Sequence, residues 1–137
     1  MDTSRNVIFN VLAKDIAATA SFYKTVFSYR ELYASPWHVV LGPEVGQGLE
    51  IGIIDWVSEF VPRSARGVPG GAYLSLVVDD VAAAVERARQ FDIEIVEEVR
   101  VLNVGEARAV LRDPNGVVID VTTPEAQFSL PPRHSVA

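Results

Sequence analysis

Apolar positions along the chain follow two rhythms, and the order in which those rhythms change is written twice. Residues 7–12 form a short apolar run with β-branched side chains, the pattern of a strand. From Ile16 the spacing lengthens to three and four: Ile16, Ala20, Tyr23 and Phe27, flanked by Thr19, Phe22 and Val26, mark one apolar helix face. Asp15 stands at the junction, where its carboxylate can accept hydrogen bonds from the open amides of the first helical turn. Strands are then predicted over residues 30–34, 37–41 and 49–54, parted by a Ser35-Pro36 turn and a breaker-rich loop over 42–48.

The same succession restarts in the second half. Residues 72–78 predict a strand, Asp80 a cap, and Val81, Ala84, Val85, Ala88 and Phe91 a buried helical stripe. Strands follow over 94–101 and 107–111, around an Asn103-Val104-Gly105 turn, and over 117–122. Asp113-Pro114-Asn115-Gly116 is a turn, since proline suits its second position and Asn-Gly tolerates positive φ. Asp80 lies sixty-five positions after Asp15, with Ala82 under Ala17 and Ala83 under Ala18. Such self-similarity predicts two copies of one unit. The expected fold is α+β: two βαβββ modules in tandem, forming curled mixed sheets around a cavity. The first module spans about residues 5–55 and the second 72–124. Residues 56–71 are the linker, with one helical turn near 57–60, and residues 125–137 a tail.

Composition narrows the partners more than the chemistry. With 137 residues, 49% hydrophobic and 22% charged, the chain suits one folded domain. The absence of cysteine excludes disulfides, iron–sulfur clusters and thiolate zinc sites. A net charge of -6 disfavours nucleic acid, and no apolar run is long enough to span a bilayer. Residues 1–5 have no apolar signal region. A cytoplasmic protein without nucleic-acid or membrane partners is expected.

Strand alternation sorts the candidate site residues. If Phe9 and Val11 pack under the helix, Ile8, Asn10 and Leu12 face the cavity. Likewise Leu74, Leu76 and Val78 face a helix, while Tyr73, Ser75 and Val77 face the cavity. Asn10 and Ser75 are the polar side chains in these apolar strands and hold matching places in the repeat. They either contact a ligand or bond a neighbouring backbone group. Trp37, Tyr33, Tyr73, Trp56 and Phe60 could line a site for a flat ligand, although aromatics also serve ordinary cores. His38 is the histidine within the folded region, as His134 falls in the tail; it is a candidate base or metal ligand, or a packed ring. Glu50 and Asp120 could share a proton and do acid–base work, or be solvated strand-end carboxylates. Arg108 and Arg112 could neutralise an anion but equally suit ordinary surface, and stay in the background.

These features resemble the vicinal-oxygen-chelate superfamily of glyoxalase I, extradiol dioxygenases, and fosfomycin- and bleomycin-resistance proteins. Ala13-Lys14-Asp15-Ile16 and Phe22-Tyr23-Lys24-Thr25-Val26-Phe27 carry the likeness in the first half. Val78-Asp79-Asp80-Val81 and Arg112-Asp113-Pro114-Asn115-Gly116-Val117-Val118-Ile119-Asp120 carry it in the second. The resemblance implies paired βαβββ modules, dimers, and four metal-ligand positions on the first and last strands of each module. Those positions fall here on Ile8, Glu50, Tyr73 and Asp120, with Gly52 on the same strand face as Glu50. Ile8 has no donor atom, and a phenol is a poor ligand at neutral pH. Two carboxylates suit hydrated Mg²⁺ better than Zn²⁺, Ni²⁺ or Fe²⁺.

Three functions stand open on this reading. The first is a homodimeric protein without the family's full metal site and with no cofactor, binding an apolar or aromatic small molecule through Asn10, Ser75, Tyr73, Trp37 and Trp56. The second is a metal-dependent lyase, isomerase or dioxygenase using Glu50, Asp120 or His38. The third is a non-catalytic interaction module.

Overall fold

Asp15 and Asp80 each end a strand and start a helix. In the computed structural model, which describes residues 6–44, 48–102 and 106–124, the Asp15 carboxylate accepts from the Ala18 amide at 3.0 Å. The Asp80 carboxylate accepts from the Ala83 amide at 3.2 Å. The chain divides into two compact units, Met1–Val68 and Pro69–Ala137. The Asn103-Val104-Gly105 turn, the middle of the 42–48 loop and the tail with His134 lie outside the described residues.

The first unit runs β1 (Ile8–Ala13), α1 (Ile16–Phe27), β2 (Tyr29–Ser35), β3 (His38–Pro43) and β4 (Glu50–Asp55). Its sheet order is β1-β4-β3-β2, with β1 parallel to β4 and the other neighbours antiparallel. The helix buries Thr19, Ala20, Phe22, Tyr23 and Val26, while Val11, Ala13, Val39, Leu41, Ile51, Ile53 and Ile54 are the buried sheet side chains. Each large side chain so buried contributes on the order of 1.5–3 kcal/mol. Ile16 and Phe27, at the two ends of the predicted stripe, are half-buried. α1 stops at Ser28, whose φ of 58° is left-handed and whose amide donates to the Tyr23 carbonyl.

The second unit repeats the plan with β5 (Leu74–Val77), α2 (Val81–Ala88), β6 (Ile95–Val101), β7 (Ala107–Arg112) and β8 (Val118–Thr123). Its order is β5-β8-β7-β6, and β5 is parallel to β8. The Asp-Pro-Asn-Gly turn closes as expected. The Gly116 amide donates to the Asp113 carbonyl at 3.0 Å, with Gly116 at φ 92°, a left-handed value that suits glycine. Asp113 is buried, and its carboxylate accepts from the Asn115 and Val117 amides at 2.8 and 2.9 Å.

Element boundaries move by a residue or two from expectation, and three differences are larger. β5 covers four residues rather than seven, because its ladder with β8 runs only from Leu74 to Val77. Phe91 lies beyond α2; the Gln90 and Phe91 amides reach back three residues to Arg87 and Ala88, tightening the end of the helix. No helical turn forms at 57–60. Asp55 takes the Val57 amide on its side chain and Ser58 takes the Phe60 amide, so these side chains compete with helical pairing. A single 3-10 turn forms later, at Arg63–Ala65.

Candidate functional site

One face of each sheet carries the helix, and the other carries the candidate residues. Strand alternation does what the sequence predicted: Val11 and Ala13 are buried while Ile8 and Asn10 are exposed, and Leu74 is buried while Tyr73, Ser75 and Val77 are exposed. Cross-strand partners point the same way, so the ladders extend each open face across its sheet. In the first unit Ile8 pairs with Glu50, Asn10 with Gly52, Leu12 with Ile54 and Ile54 with His38. In the second, Ser75 pairs with Asp120, Asp120 with Val110, and Thr122 with Arg108.

The open face of the first unit ends in a row of rings. Trp37 stacks on His38, with ring centres 5.3 Å apart and planes 25° apart, and on Phe60 at 5.1 Å and 29°. Tyr33 lies 5.8 Å from His38. Tyr33, Trp37 and Phe60 all remain substantially exposed. These contacts gather residues from the β2–β3 hairpin and from the segment after β4, which sequence spacing alone does not connect. His38 is held among rings, and among the described residues it has no acidic partner. Trp56 follows β4 directly and carries the Lys14 ammonium 5.2 Å from its ring centre, a cation–π contact.

The segment bearing Trp56 and Phe60 is built around Arg66, a residue the sequence reading passed over. Its guanidinium donates to the carbonyls of Trp56 and Ser58, both at 2.7 Å, and to that of Val61 at 3.5 Å. Val61 is buried and anchors the same loop. No local motif announces this arrangement, because a guanidinium gathering carbonyls five to ten residues away leaves no periodic trace.

In the second unit the centre of the open face is Asp120. Arg108 Nε donates to its Oδ1 at 2.7 Å, and the Ser75 hydroxyl donates to its Oδ2 at 3.0 Å. The Asp120 side chain is only 14% exposed, so this charge-assisted pairing is partly shielded from water. The hydrogen bond to Asp120, followed by the negative charges of Asp120 and Glu97, holds the Arg108 guanidinium above its ordinary pKa. Arg108, set aside from sequence as ordinary surface, is thus part of the most developed polar cluster on this face. The clue lay in the chain: Arg108, Ser75 and Asp120 each occupy open-face positions of neighbouring strands.

The ladders also settle which residue answers to Asp120 in the first repeat. Asp120 faces Ser75, and the repeat counterpart of Ser75 is Asn10, which faces Gly52. Gly52, rather than Glu50, therefore occupies the equivalent place. Glu50 stands one same-face pair away, opposite Ile8, and its carboxylate accepts from the Asn6 side-chain Nδ2 at 3.4 Å.

A divalent metal at the family's four positions does not fit this donor set. Ile8 has no donor, Tyr73 offers only a phenol oxygen, and both Asp120 oxygens already accept from Arg108 and Ser75. A cation binding Asp120 would have to share an oxygen with a guanidinium, and like charges that close repel. Among the described residues no group of three or more histidine, aspartate or glutamate side chains gathers in metal-binding geometry.

A family model described as the Glyoxalase/Bleomycin resistance protein/Dioxygenase superfamily matches residues 7–121. Solved structures share the fold. One, a glyoxalase/bleomycin resistance protein/dioxygenase family enzyme from Burkholderia phytofirmans PsJN, is 22% identical. The match covers 85% of this chain and 95% of that one, with a TM-score of 0.69. The hypothetical protein SA1046 from S. aureus is 20% identical over 89% of this chain and 95% of its own, with a TM-score of 0.72. Lactoylglutathione lyase from Agrobacterium tumefaciens is 20% identical over 92% and 98%, with a TM-score of 0.61. No curated protein matches the chain.

Proposed function

Because the chain belongs to the Glyoxalase/Bleomycin resistance protein/Dioxygenase superfamily, we propose that it is a metal-independent member that binds a small apolar or aromatic molecule on its open sheet faces. The observation that carries this reading is the saturation of Asp120 by Arg108 and Ser75, which turns a family ligand position into an internal ion pair. The exposed rings of Trp37, Tyr33 and Phe60 supply a stacking surface, and Trp56 stands nearby in sequence on the Arg66-held loop. Asn10 and Tyr73 offer hydrogen-bonding groups on the two faces, and Ser75 keeps its acceptor lone pairs. A homodimer working in the cytoplasm belongs to the same reading, supported by the family's habit of pairing modules and by the lack of cysteine.

The test is ligand binding after exhaustive chelation. Protein dialysed against EDTA is titrated with a panel of aromatic compounds, following quenching of Trp37 and Trp56 fluorescence and the rise in Tm that binding to the native state produces. Trp37→Ala and Phe60→Ala are expected to weaken binding at least tenfold, with the fold retained. Stoichiometric Ni²⁺, Zn²⁺ or Fe²⁺ that is lost in Glu50→Ala and Asp120→Ala would overturn the reading in favour of a metal-dependent lyase, isomerase or dioxygenase.

A further inference from the structure

We propose that Arg108 is an anion-binding group on the open face of the second sheet, and that the ligand taken there carries an oxyanion on an apolar body. The oxyanion is a carboxylate or a phosphate monoester. This rests on the metal-independent binding reading above and narrows it to a chemical class.

Three features of the second unit carry the inference. First, Arg108 spends only its Nε on Asp120, and among the described residues its two terminal nitrogens donate to no other group. A guanidinium has five N–H donors in a rigid fork matched to oxyanions, so most of its capacity is unused. Second, the group is aimed in advance. Asp120 fixes Arg108, Ser75 fixes Asp120, and the three come from three adjacent strands of one sheet, so little ordering remains for binding to impose. Third, Arg100 on β6 is the direct register partner of Arg108. Like charges placed opposite each other across a ladder are unfavourable. The acid beside Arg100, Glu97, sits at 3.5 Å with both side chains more than 40% exposed, a weak pairing, and its charge also acts on Arg108, so it relieves the opposition only in part. An oxyanion entering between the two arginines relieves that opposition. The ligand's apolar body has a surface to lie on, since Tyr73 and Val77 flank Ser75 on the same face and are 61% and 70% exposed.

The guanidinium is paired with Asp120, one of the positions to which the family resemblance assigns a metal ligand. Asp120 keeps a positive partner, but an organic one, with hydrogen-bond donors where a metal has open coordination sites. The second sheet thereby retains the means to hold a negatively charged oxygen without a metal.

Three probes with one aromatic body separate the terms: 2-naphthoate, 2-naphthyl phosphate and the neutral 2-naphthamide, titrated calorimetrically into the metal-free protein. At least one anion is expected to bind about tenfold more tightly than the amide, and which one identifies the oxyanion. Arg108→Gln should erase that preference while leaving amide binding within about twofold. Arg89→Gln, which removes the two exposed ion pairs that Arg89 makes at the end of α2, should leave the preference intact. In the unmutated protein the preferred anion should shift one arginine Nε–Hε resonance that the amide leaves in place, a readout that survives if Arg108→Gln fails to fold. Equal affinity for anions and amide, or a preference that persists in Arg108→Gln, overturns the inference and leaves ligand binding standing. No binding of any probe at millimolar concentration overturns both.

Discussion

Asn10 lays its side-chain amide directly over Gly52, its partner in the parallel β1–β4 ladder, filling the space that a β-carbon at position 52 would need. In the second unit the equivalent pair is Ser75 and Asp120, and there both side chains are present and bonded. The two repeats therefore solve the same position in opposite ways. One is a glycine beneath an amide; the other is a carboxylate in a network.

Gly52→Ala should force Asn10 aside and press on Ile8, whose Cγ2 would be 3.2 Å from the new β-carbon. Because Asn10 is exposed and free to swing, the expected loss is modest, about 1 kcal/mol. The same substitution in an Asn10→Ala background should cost little, a coupling that a double-mutant cycle from urea unfolding reads directly. An equal loss in both backgrounds would deny the steric relationship.

How much of this was legible in the sequence follows from the range of each interaction. Asp15, Asp80 and the Asp-Pro-Asn-Gly turn act over two to four residues, so their side chains name their roles. The period-two alternation of Ile8 to Leu12 and of Tyr73 to Val77 assigned both open faces correctly for the same reason. Register is different. It depends on which residues of distant strands meet, so Gly52 rather than Glu50 as the counterpart of Asp120 emerges only from the ladders. Arg108 and Arg66 were hardest to read, because arginine is common on surfaces and its reach leaves no spacing rule. The Arg108–Asp120 bond joins residues twelve apart, and Arg66 gathers carbonyls five to ten residues away.

The start of α2 has two acceptors, and they should differ in weight. Asp80 takes the Ala83 amide at 3.2 Å, while the fully buried Thr123 hydroxyl takes the Val81 amide at 2.7 Å. Asp80→Ala should cost about 1 kcal/mol, as removal of an N-cap does. Thr123→Val keeps the shape but strands a buried N–H, and should cost about 1–3 kcal/mol. Thr123→Ser, which retains the hydroxyl, should recover most of that difference. If Thr123→Val and Thr123→Ser unfold at the same urea concentration, the hydroxyl is not the cap.

Arg66 should control the loop that bears Trp56 and Phe60 far more than it controls global stability. Arg66→Ala removes the guanidinium from three carbonyls: those of Trp56 and Ser58 lie on exposed or half-exposed residues that water can reach, and that of the buried Val61 is the longest contact, at 3.5 Å. The expected global loss is therefore about 1 kcal/mol or less. Locally, the Val61 amide, which donates to Ser58 at 3.1 Å, should exchange its hydrogen faster, and tryptophan emission should shift as Phe60 loosens from Trp37. Arg66→Lys should resemble Arg66→Ala, because an ammonium cannot span the Trp56 and Ser58 carbonyls as the planar fork does. Unchanged exchange at Val61 in both variants would show that the loop holds itself.

Tyr29 links the first unit to alkaline pH. Burial raises its phenol above the ordinary tyrosine value of about 10, and its hydroxyl donates to the Leu49 carbonyl at 3.3 Å. Between the unfolded and folded pKa values the unfolded chain has released the proton that the folded chain still holds. Stability contributed by this group is therefore complete below about pH 10 and is lost as pH climbs from there through the folded value. Arg108, also raised, follows the same sign but only in a still more alkaline range, so it stays silent in this window. Tyr29→Phe loses the hydrogen bond and should be less stable by about 1 kcal/mol at neutral pH. It also lacks the titrating group, so the gap between the two proteins should narrow as pH rises beyond about 10. Urea unfolding of both from neutral pH to about pH 11 measures the gap directly, and parallel curves across the whole range would remove Tyr29 from the pH dependence.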